Sequence, residues 1–363
     1  DLDPFGAPRA PTRWWPSTAA DGTPVGRCGS YADRMDDSLG PDDVVLETVP
    51  LGPQWQTVDP FLFCAHHDDS YPAGNGAFGP AAPLHGRELG ADFASVNGWN
   101  MYHGRNVPGF PQHPHRGFET VTFVRRGVVD HSDSLGATAR FGRGDVQWMT
   151  AGAGIVHAEM FPLLDDDEPN PLQLFQIWLN LPSGDKLVDP YFTMLWSHTI
   201  PKLEFTDAHG RGSTITMIAG AVTPHEAPAP PPDSWAARAE ADLAIWHIRM
   251  SPESTWTLPP ATGATTNRTL YLFEGDELHL DDTSIPAATG AAVAARQPIA
   301  LRAGTTEVEV MLLQGAPIAE PVAQYGPFVM NTEAEIRQAF TDYQRTAFGG
   351  WPWPTDDPVH RDA

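Results

Sequence analysis

Short apolar runs separated by glycine- and proline-rich turns dominate the chain from about residue 44 onward. The run at 119–124, Glu-Thr-Val-Thr-Phe-Val, is rich in β-branched and aromatic residues, and Gly127 follows it, as is typical of a β-strand. Many short strands joined by such turns favour a β-barrel or a β-sandwich. The other apolar runs of this half lie at 44–46, 61–63, 146–149 and 172–181.

A second set of short apolar runs follows after residue 200 and predicts a second β-domain of similar architecture. A proline-rich stretch at 224–232 interrupts this set and is expected to form an extended loop. A chain of 363 residues is also long enough for two domains, each with its own core. The runs of this half lie at 213–218, 243–248, 269–273 and 307–313.

The segment near the end of the chain has helical spacing instead. Thr332 and Glu335 form a capping-box pattern, which marks the start of a helix of about three turns. A Gly-Gly-Trp-Pro-Trp-Pro tail at 349–354 cannot continue that helix and is expected to pack as an extended strap. The residues that share one face of the predicted helix are Ile336, Ala339, Phe340 and Tyr343.

These patterns divide the chain into four parts. We expect an N-terminal extension over 1–45, a first barrel over 46–200, a second barrel over 201–331, and a helix with a tail over 332–363. The long glycine-rich interval at 68–109 is expected to form loops at the mouth of the first barrel.

Charge and composition exclude several classes of function. Acidic residues outnumber basic residues 46 to 22, for a formal charge of −24, and this field disfavours direct binding to nucleic acid. No stretch approaches the apolar length of a membrane span, and no secretory signal is visible at the first residues, so a cytoplasmic protein is expected. Cys28 and Cys64 lack the spacing of a zinc or redox site, and a reduced pair is favoured over a disulfide.

Two short histidine motifs carry the candidate chemistry. His113 and His115 flank Pro114, and His157 and Glu159 flank an alanine. Residues i and i+2 of a strand point to the same face, about 6.6 Å apart along the backbone. Each pair can therefore present two side chains together, and two such strands would close a cage of three imidazoles and one carboxylate.

This donor set suits a divalent transition metal. Four protein ligands leave one or two open positions on a six-coordinate ion, where a substrate or dioxygen can bind. Fe(II) is favoured over a closed structural zinc site, which would use cysteine and be tetrahedral. Mn, Ni, Cu and Zn stay as alternatives.

Other polar clusters carry weaker signals. The adjacent histidines and acids at 66–69 would face opposite ways in a strand, so a solvated loop is predicted there. His131, Asp133 and Ser134 lie close in sequence, but nothing orders them as base, orienter and nucleophile. The chain also lacks the nucleophile-elbow, phosphate-loop and dinucleotide-binding fingerprints.

Several longer strings resemble the pirin family of the cupin superfamily. They are His-Pro-His-Arg-Gly-Phe-Glu-Thr-Val at 113–121, Gly-Asp-Val-Gln-Trp-Met-Thr-Ala-Gly at 144–152 and His-Ala-Glu-Met at 157–160. The likeness also includes 58–61, 176–181 and 324–332, and it spans roughly residues 45–348. The resemblance implies an all-β fold of two cupin barrels facing each other, with a metal, usually iron, only in the first.

The resemblance also implies roles for single residues. It makes His113, His115, His157 and Glu159 the metal ligands, in agreement with the spacing argument. Glu119 takes the position of a ligand in more general cupins, and it has the same parity as His113 and His115, so it could face the site. Because Glu159 fills the ligand position in this family, we expect the Glu119 carboxylate to contact the ligands without binding the metal.

Further residues follow from the same resemblance and from their neighbours. Gln176 matches a family position near the cavity, where its amide would contact a substrate hydroxyl or a water, or else satisfy a backbone group. Arg116 should point away from the site. His247 and His279 are isolated, so no metal is expected in the second barrel.

The resemblance implies two functions. The first is an iron-dependent dioxygenase of the quercetin 2,3-dioxygenase type, which opens the central ring of a flavonol or related enol with release of carbon monoxide. In that mechanism Glu159, or a nearby carboxylate, takes the proton of the substrate hydroxyl. The alternative is a non-enzymatic iron-dependent redox sensor that acts on a protein partner.

Overall fold

The computed structural model describes residues 43–355 of the chain. Nearly all of the predicted extension at 1–45, together with Cys28, lies outside these residues, and so do residues 356–363 of the predicted C-terminal part. Cys64 is fully buried. Among the described residues no helix is both long enough and apolar enough to cross a bilayer.

The first half of the described chain forms eleven strands. Ten of them build the N-terminal domain from two antiparallel sheets, one in the order β11-β8-β5-β10-β3-β2 and one in the order β4-β9-β6-β7. The strands are β1 (Val45–Pro50), β2 (Gln54–Trp55), β3 (Phe61–Tyr71), β4 (Gly109–His115), β5 (Phe118–Arg126), β6 (Val128–Asp133), β7 (Thr138–Gly142), β8 (Val146–Thr150), β9 (Ile155–Met160), β10 (Asn170–Asn180) and β11 (Tyr191–Leu195).

The second half forms the C-terminal domain from a seven-stranded sheet, β1-β21-β18-β23-β16-β13-β12, and a four-stranded sheet, β17-β22-β19-β20. Its first strands are β12 (Lys202–Thr206), β13 (Gly212–Ala219), β14 (Ala221–Val222), β15 (His225–Glu226), β16 (Ala244–Met250), β17 (Thr255–Leu258) and β18 (Asn267–Glu274). They continue with β19 (Glu277–Leu280), β20 (Thr283–Pro286), β21 (Thr289–Val293), β22 (Ile299–Ala303), β23 (Val308–Gly315), β24 (Ala323–Tyr325) and β25 (Phe328–Met330).

The prediction of an all-β protein with two barrel domains and a short C-terminal helix is confirmed. The sequence did not predict that β1 pairs with β21 at the edge of the C-terminal sheet. The described chain therefore begins on the second domain before it enters the first. Short 3-10 turns lie at Val96–Gly98, Trp235–Ala237, Ala239–Ala241 and Ala347–Gly349.

The large sheets of the two domains face each other across an apolar core. Val121 and Phe123 of β5 pack in the same cluster as Ile245, Met311 and Leu313 of the C-terminal sheet. Because successive residues of a strand point to opposite faces, the alternate positions of β5 point into the first barrel. Both faces of β5 are thus buried, which explains why β-branched and aromatic residues occupy nearly every position of its middle part.

The carboxylate of Glu119 is buried at this interface. Glu119 Oε1 accepts hydrogen bonds from Thr150 Oγ1 at 2.7 Å and from Trp148 Nε1 at 3.2 Å. Its Oε2 accepts one from Ser234 Oγ, 2.5 Å away in the segment that leads into the C-terminal core. Glu119 therefore links the two domains.

The C-terminal segment returns to the N-terminal domain. Helix α1 (Glu333–Thr346) begins with the predicted capping box at Thr332 and buries Ile336 and Ala339. These side chains pack in one cluster with Val156 of β9. The tail indole of Trp353 donates to the backbone oxygen of Asp133 at 2.9 Å.

We expect the pH dependence of stability to reveal the buried Glu119. Burial raises its pKa from 4.5 to about 7, so the native state disfavours the ionised form. The stabilisation is complete below pH 4.5 and is lost as pH rises through about 7. The free energy of unfolding of the wild type, relative to Glu119→Gln, should therefore fall by up to about 3 kcal/mol between pH 4.5 and 8.

Urea unfolding of both proteins across this range measures the difference. Other titrating groups are common to the two proteins and cancel. A difference that stays constant with pH would mean that the three donors hold Glu119 ionised throughout.

Candidate metal centre

Three neighbouring strands of the four-stranded sheet carry polar side chains on the same face. Strand β9 lies between β4 and β6 and supplies His157 and Glu159. On one side His113 of β4 lies opposite His157, and on the other side His131 of β6 lies opposite Glu159. Directly opposed residues of antiparallel strands present neighbouring side chains on one face of the sheet. His115 joins them, two residues after His113.

The side chains form two overlapping groups of donors. The ligand atoms of His113, His115 and His157 all lie within 4.8 Å of one another, and those of His131, His157 and Glu159 do so too. The ring centroids of His113 and His157 are 4.4 Å apart, and those of His115 and His157 are 4.8 Å apart. The structure thus brings together the three histidines predicted as ligands, and it places the predicted ligand Glu159 next to one of them, His157.

Backbone carbonyls orient two of the imidazoles. His113 Nδ1 donates to the carbonyl oxygen of Pro111 at 2.8 Å, and His115 Nδ1 donates to that of Pro327 at 3.3 Å. The Nε2 lone pairs of both rings are then available to a cation. In the described structure His115 Nε2 and both ring nitrogens of His157 are buried and have no hydrogen-bond partner. Such orphaned nitrogens in an imidazole cluster fit a bound metal ion.

Two side chains donate hydrogen bonds to the Glu159 carboxylate. Thr122 Oγ1 donates to Glu159 Oε1 at 3.2 Å, and Gln176 Nε2 donates to Oε2 at 2.5 Å. The other end of the Gln176 amide accepts a hydrogen bond from Trp178 Nε1 at 3.1 Å. Gln176 therefore orients Glu159, a role outside the alternatives predicted from the sequence.

Burial sets the protonation of the cluster. It lowers the pKa of His113 to about 4 and holds the pKa values of His115 and His157 well below their ordinary value. It also raises the pKa of Glu159 to about 7. The three imidazoles are neutral near pH 7, so they offer lone pairs to a cation at no cost in deprotonation.

The prediction that Glu119 supports the ligands is wrong, because its carboxylate faces the domain interface and its hydrogen bonds go to Trp148, Thr150 and Ser234. The parity argument fails at Gly117, which separates β4 from β5 with a φ of +84°. A Cβ atom there would lie 2.0 Å from the Val329 carbonyl oxygen, so the turn needs glycine.

Arg116 turns away from the site, as predicted. Its Nε donates to the backbone oxygen of Ala153 at 2.7 Å, and its guanidinium pairs with Asp342 of α1 at 2.9 Å. The ion pair ties the C-terminal helix to the strand that carries His113 and His115.

The prediction of a solvated loop at 66–69 is also wrong, because these residues lie within β3. His66 stacks on Phe175 with ring centroids 4.6 Å apart, whereas His67 contacts the edge of Tyr102 at 4.8 Å. The two rings face opposite sides of the sheet, as alternation requires. Aromatic packing on both sides, invisible in the local sequence, makes this a strand.

Sequence reasoning missed His131, which is fully buried beside His157 and Glu159. The signal in the sequence was its i+2 spacing from Asp133, just after Val128 and Val129. The spacing indicates a position next to His157 and Glu159 only when the pairing of β6 with β9 is known.

A cavity of about 960 Å³ reaches the cluster from the edge of the large sheet. Its walls include Trp55, Tyr102 and Phe110 of the N-terminal domain and Phe273 of the C-terminal domain. His113, His115, Glu159 and Gln176 lie on its surface. The predicted loops at 68–109 form part of the wall, although 68–71 belong to β3.

The isolated histidines of the C-terminal barrel pair with acids. His247 Nε2 lies 2.6 Å from Glu309 Oε2, and His279 Nε2 lies 3.1 Å from Glu277 Oε2. Within residues 43–355, the groups of three or more candidate metal donors are both in the N-terminal domain.

Family models and individual relatives point to the same protein family. The pirin model matches residues 44–179, and the model of the pirin C-terminal cupin domain matches residues 245–349. A pirin-like protein of Solanum lycopersicum is 36% identical over 245 residues, which are 65% of this chain and 75% of that protein. Human pirin is 32% identical over 256 residues, which are 69% and 81% of the two chains.

Among solved structures, the crystal structure of a quercetin 2,3-dioxygenase from Acinetobacter baumannii is similar to this chain with a TM-score of 0.66. It is 26% identical, and the match covers 85% of this chain and 98% of that one. The resemblance found in the sequence motifs is therefore confirmed. The chain belongs to the pirin family.

Proposed function

We propose that the chain is an iron-dependent dioxygenase that opens the central ring of a flavonol or a related enol. The observation that carries this proposal is the cavity, which reaches from the surface to the histidine cluster. Its volume of about 960 Å³ lies within the range of roughly 300–1,000 Å³ that is common for small-molecule sites. The similarity to a quercetin 2,3-dioxygenase structure supports the same substrate class.

The aromatic lining of the cavity suits a planar aromatic substrate. Trp55, Tyr102, Phe110 and Phe273 supply ring faces and edges for stacking. The polar side chains His113, His115, Glu159 and Gln176 converge at the inner end. A flavonol with its enol end at the cluster would bury its rings and present its hydroxyl to the donors.

The metal would be held by His113, His115, His157 and Glu159, with Fe(II) favoured and Mn, Ni, Cu or Zn as alternatives. When bound, such an ion polarises a substrate oxygen and makes dioxygen reactive. The orphaned nitrogens of the cluster support this assignment.

The protein's own side chains would bind and orient the substrate and accept one proton from it. Glu159 Oε2 accepts the proton of the substrate hydroxyl, while Gln176 and Thr122 hold the carboxylate in place. The apolar walls exclude water from the reacting ring. Overall, both atoms of dioxygen enter the ring-opened ester, and the ring carbon that carried the hydroxyl leaves as carbon monoxide.

We expect His157→Ala to abolish metal binding. The wild type, purified without oxygen, should hold about one iron per chain because the cluster offers one set of ligands, and the variant should hold almost none. Elemental analysis measures both. His279→Ala, which removes a histidine paired with Glu277 in the other domain, should keep the iron of the wild type.

Turnover is expected with quercetin and dioxygen. The iron-loaded wild type should consume one dioxygen and release one carbon monoxide for each flavonol, and chelator-treated protein should do neither. An oxygen electrode and a carbon monoxide assay on the same sample measure this ratio. Bound iron without turnover would contradict the dioxygenase and favour the redox-sensor alternative.

Gln176→Leu should lower kcat with little effect on KM. The substitution removes the 2.5 Å hydrogen bond that orients Glu159 while keeping the volume of the side chain similar. Loss of such a partner of a metal ligand costs roughly 10- to 100-fold in activity or metal affinity. Steady-state kinetics with quercetin measures the effect.

The matched control is Gln173→Leu on the same strand. Gln173 accepts a hydrogen bond from Arg125 at 2.7 Å and donates to Glu274 at the domain interface. Equal losses of kcat in the two variants would mean that Gln176 acts only through folding.

A further inference from the structure

The imidazole of His67 lies on the wall of the cavity that reaches the histidine cluster. In the antiparallel pairing of β3 with β10, Ala65 lies opposite Gln176 and His67 lies opposite Leu174. Because alternate residues of a strand share one face, His67 and Gln176 point to the same side of the large sheet. Residues in this diagonal relation are about 7–8 Å apart. His67 therefore faces the space in which Gln176 holds Glu159.

The ring of Phe110 contacts both His67 and a candidate metal ligand. Its centroid lies 5.7 Å from that of His67 and 6.3 Å from that of His113. Phe110 lines the same cavity. A planar substrate with its enol end at the cluster would extend along Phe110 and bring another of its rings to His67.

Aromatic rings hold the His67 imidazole but leave its nitrogens without hydrogen bonds. Tyr102 packs on it edge-on at 4.8 Å and Phe161 at 6.3 Å, measured between ring centroids. The hydroxyl proton of Tyr102 goes to Asp69, 2.6 Å away. Among residues 43–355 no group forms a hydrogen bond with either ring nitrogen of His67, and the side chain is only partly buried. A molecule in the cavity can satisfy these nitrogens.

The charge state of His67 indicates which chemical group it would bind. Burial lowers the pKa of His67 to about 3, so the imidazole is neutral near pH 7. A neutral imidazole donates one hydrogen bond and accepts one. It offers no charge to a carboxylate or a phosphate, whereas a hydroxyl group can use both of its nitrogens' hydrogen-bonding capacities. A hydroxyl on an aromatic ring also suits the rings that surround His67.

The neighbouring His66 lacks this relation to the site. It points to the opposite face of β3, where it stacks on Phe175 with ring centroids 4.6 Å apart. It also contacts Phe273 of the C-terminal domain at 5.8 Å. The chain thus carries two adjacent imidazoles, of which only His67 shares a face with Gln176.

We propose that His67 determines substrate specificity by binding a hydroxyl group on an aromatic ring of the substrate, away from its enol end. This inference rests on the proposed function and narrows the substrate class to enols that carry a further ring hydroxyl. A flavonol with the enol hydroxyl alone would leave the His67 nitrogens without a partner.

Binding of two flavonols to the full chain tests the proposal without turnover. Quercetin carries further hydroxyls on its aromatic rings, whereas 3-hydroxyflavone keeps only the enol hydroxyl. Calorimetric titration in the absence of dioxygen gives both dissociation constants for the wild type, His67→Phe and His66→Phe. Phenylalanine keeps an aromatic ring at position 67 and removes both nitrogens, and His66→Phe makes the same change on the other face of the strand.

The wild type should bind quercetin more tightly than 3-hydroxyflavone. In His67→Phe this preference should fall roughly 5- to 10-fold, which is the effect of one hydrogen bond. The loss should come from weaker quercetin binding, because 3-hydroxyflavone has no further hydroxyl for His67 to bind. His66→Phe should keep the preference of the wild type.

Two further variants test the proposal if His67→Phe does not fold. Asparagine and glutamine can each place an amide group near the position of one of the two ring nitrogens. One of His67→Asn and His67→Gln should therefore keep more of the preference for quercetin than the other. An identical preference in these two variants would then overturn the proposal.

The outcomes separate this inference from the proposed function. An unchanged preference in His67→Phe would overturn the inference even if the chain opens the ring of quercetin. The expected fall in preference without ring opening would contradict the dioxygenase and leave His67 as a substrate-binding residue. A chain that binds neither flavonol would overturn both.

Discussion

The position of β9 in the middle of the small sheet is the constraint on which the site depends. Because β4 and β6 flank it in antiparallel register, residues far apart in sequence become direct neighbours of His157 and Glu159. Their side chains point into the barrel interior, where His157 and Glu159 are almost completely buried. Orphaned buried polar groups cost about 1–3 kcal/mol each, and a bound cation would remove that cost for several nitrogens at once. The metal would thus stabilise the fold as well as supply chemistry.

The C-terminal segment also contributes to the arrangement of the site. The Pro327 carbonyl that orients His115 belongs to the segment before β25, and the Arg116–Asp342 ion pair fastens α1 to the end of β4. These contacts reach the ligand strand from more than 200 residues away in sequence. The C-terminal segment therefore takes part in positioning the candidate ligands.

The sequence was informative wherever the signal was local. The i, i+2 histidine motifs, the capping box of α1 and the alternating runs all depend on neighbours within a few residues, and they were located correctly. Glu119 was misplaced because the rule that alternate residues share a face holds only within one strand. The turn at Gly117 separates Glu119 from the strand that carries His113 and His115. His131 was missed because its partners lie on β9, and strand pairing is a tertiary property. The strand at 66–69 was taken for a loop because its polar side chains are buried by distant aromatic rings.

The cavity explains why two barrels are needed when the candidate ligands come from one. The six-stranded sheet ends at the short edge strand β2, and beside this edge Phe273 and Ala288 of the C-terminal domain complete the wall. Trp55 stacks on Tyr271 with ring centroids 5.0 Å apart, so the same indole is both cavity wall and interface core. A change in how the domains pack would alter the cavity before it altered the histidine cluster. The ligands are therefore set by one small sheet, whereas the choice of what reaches them is set by the interface between two domains.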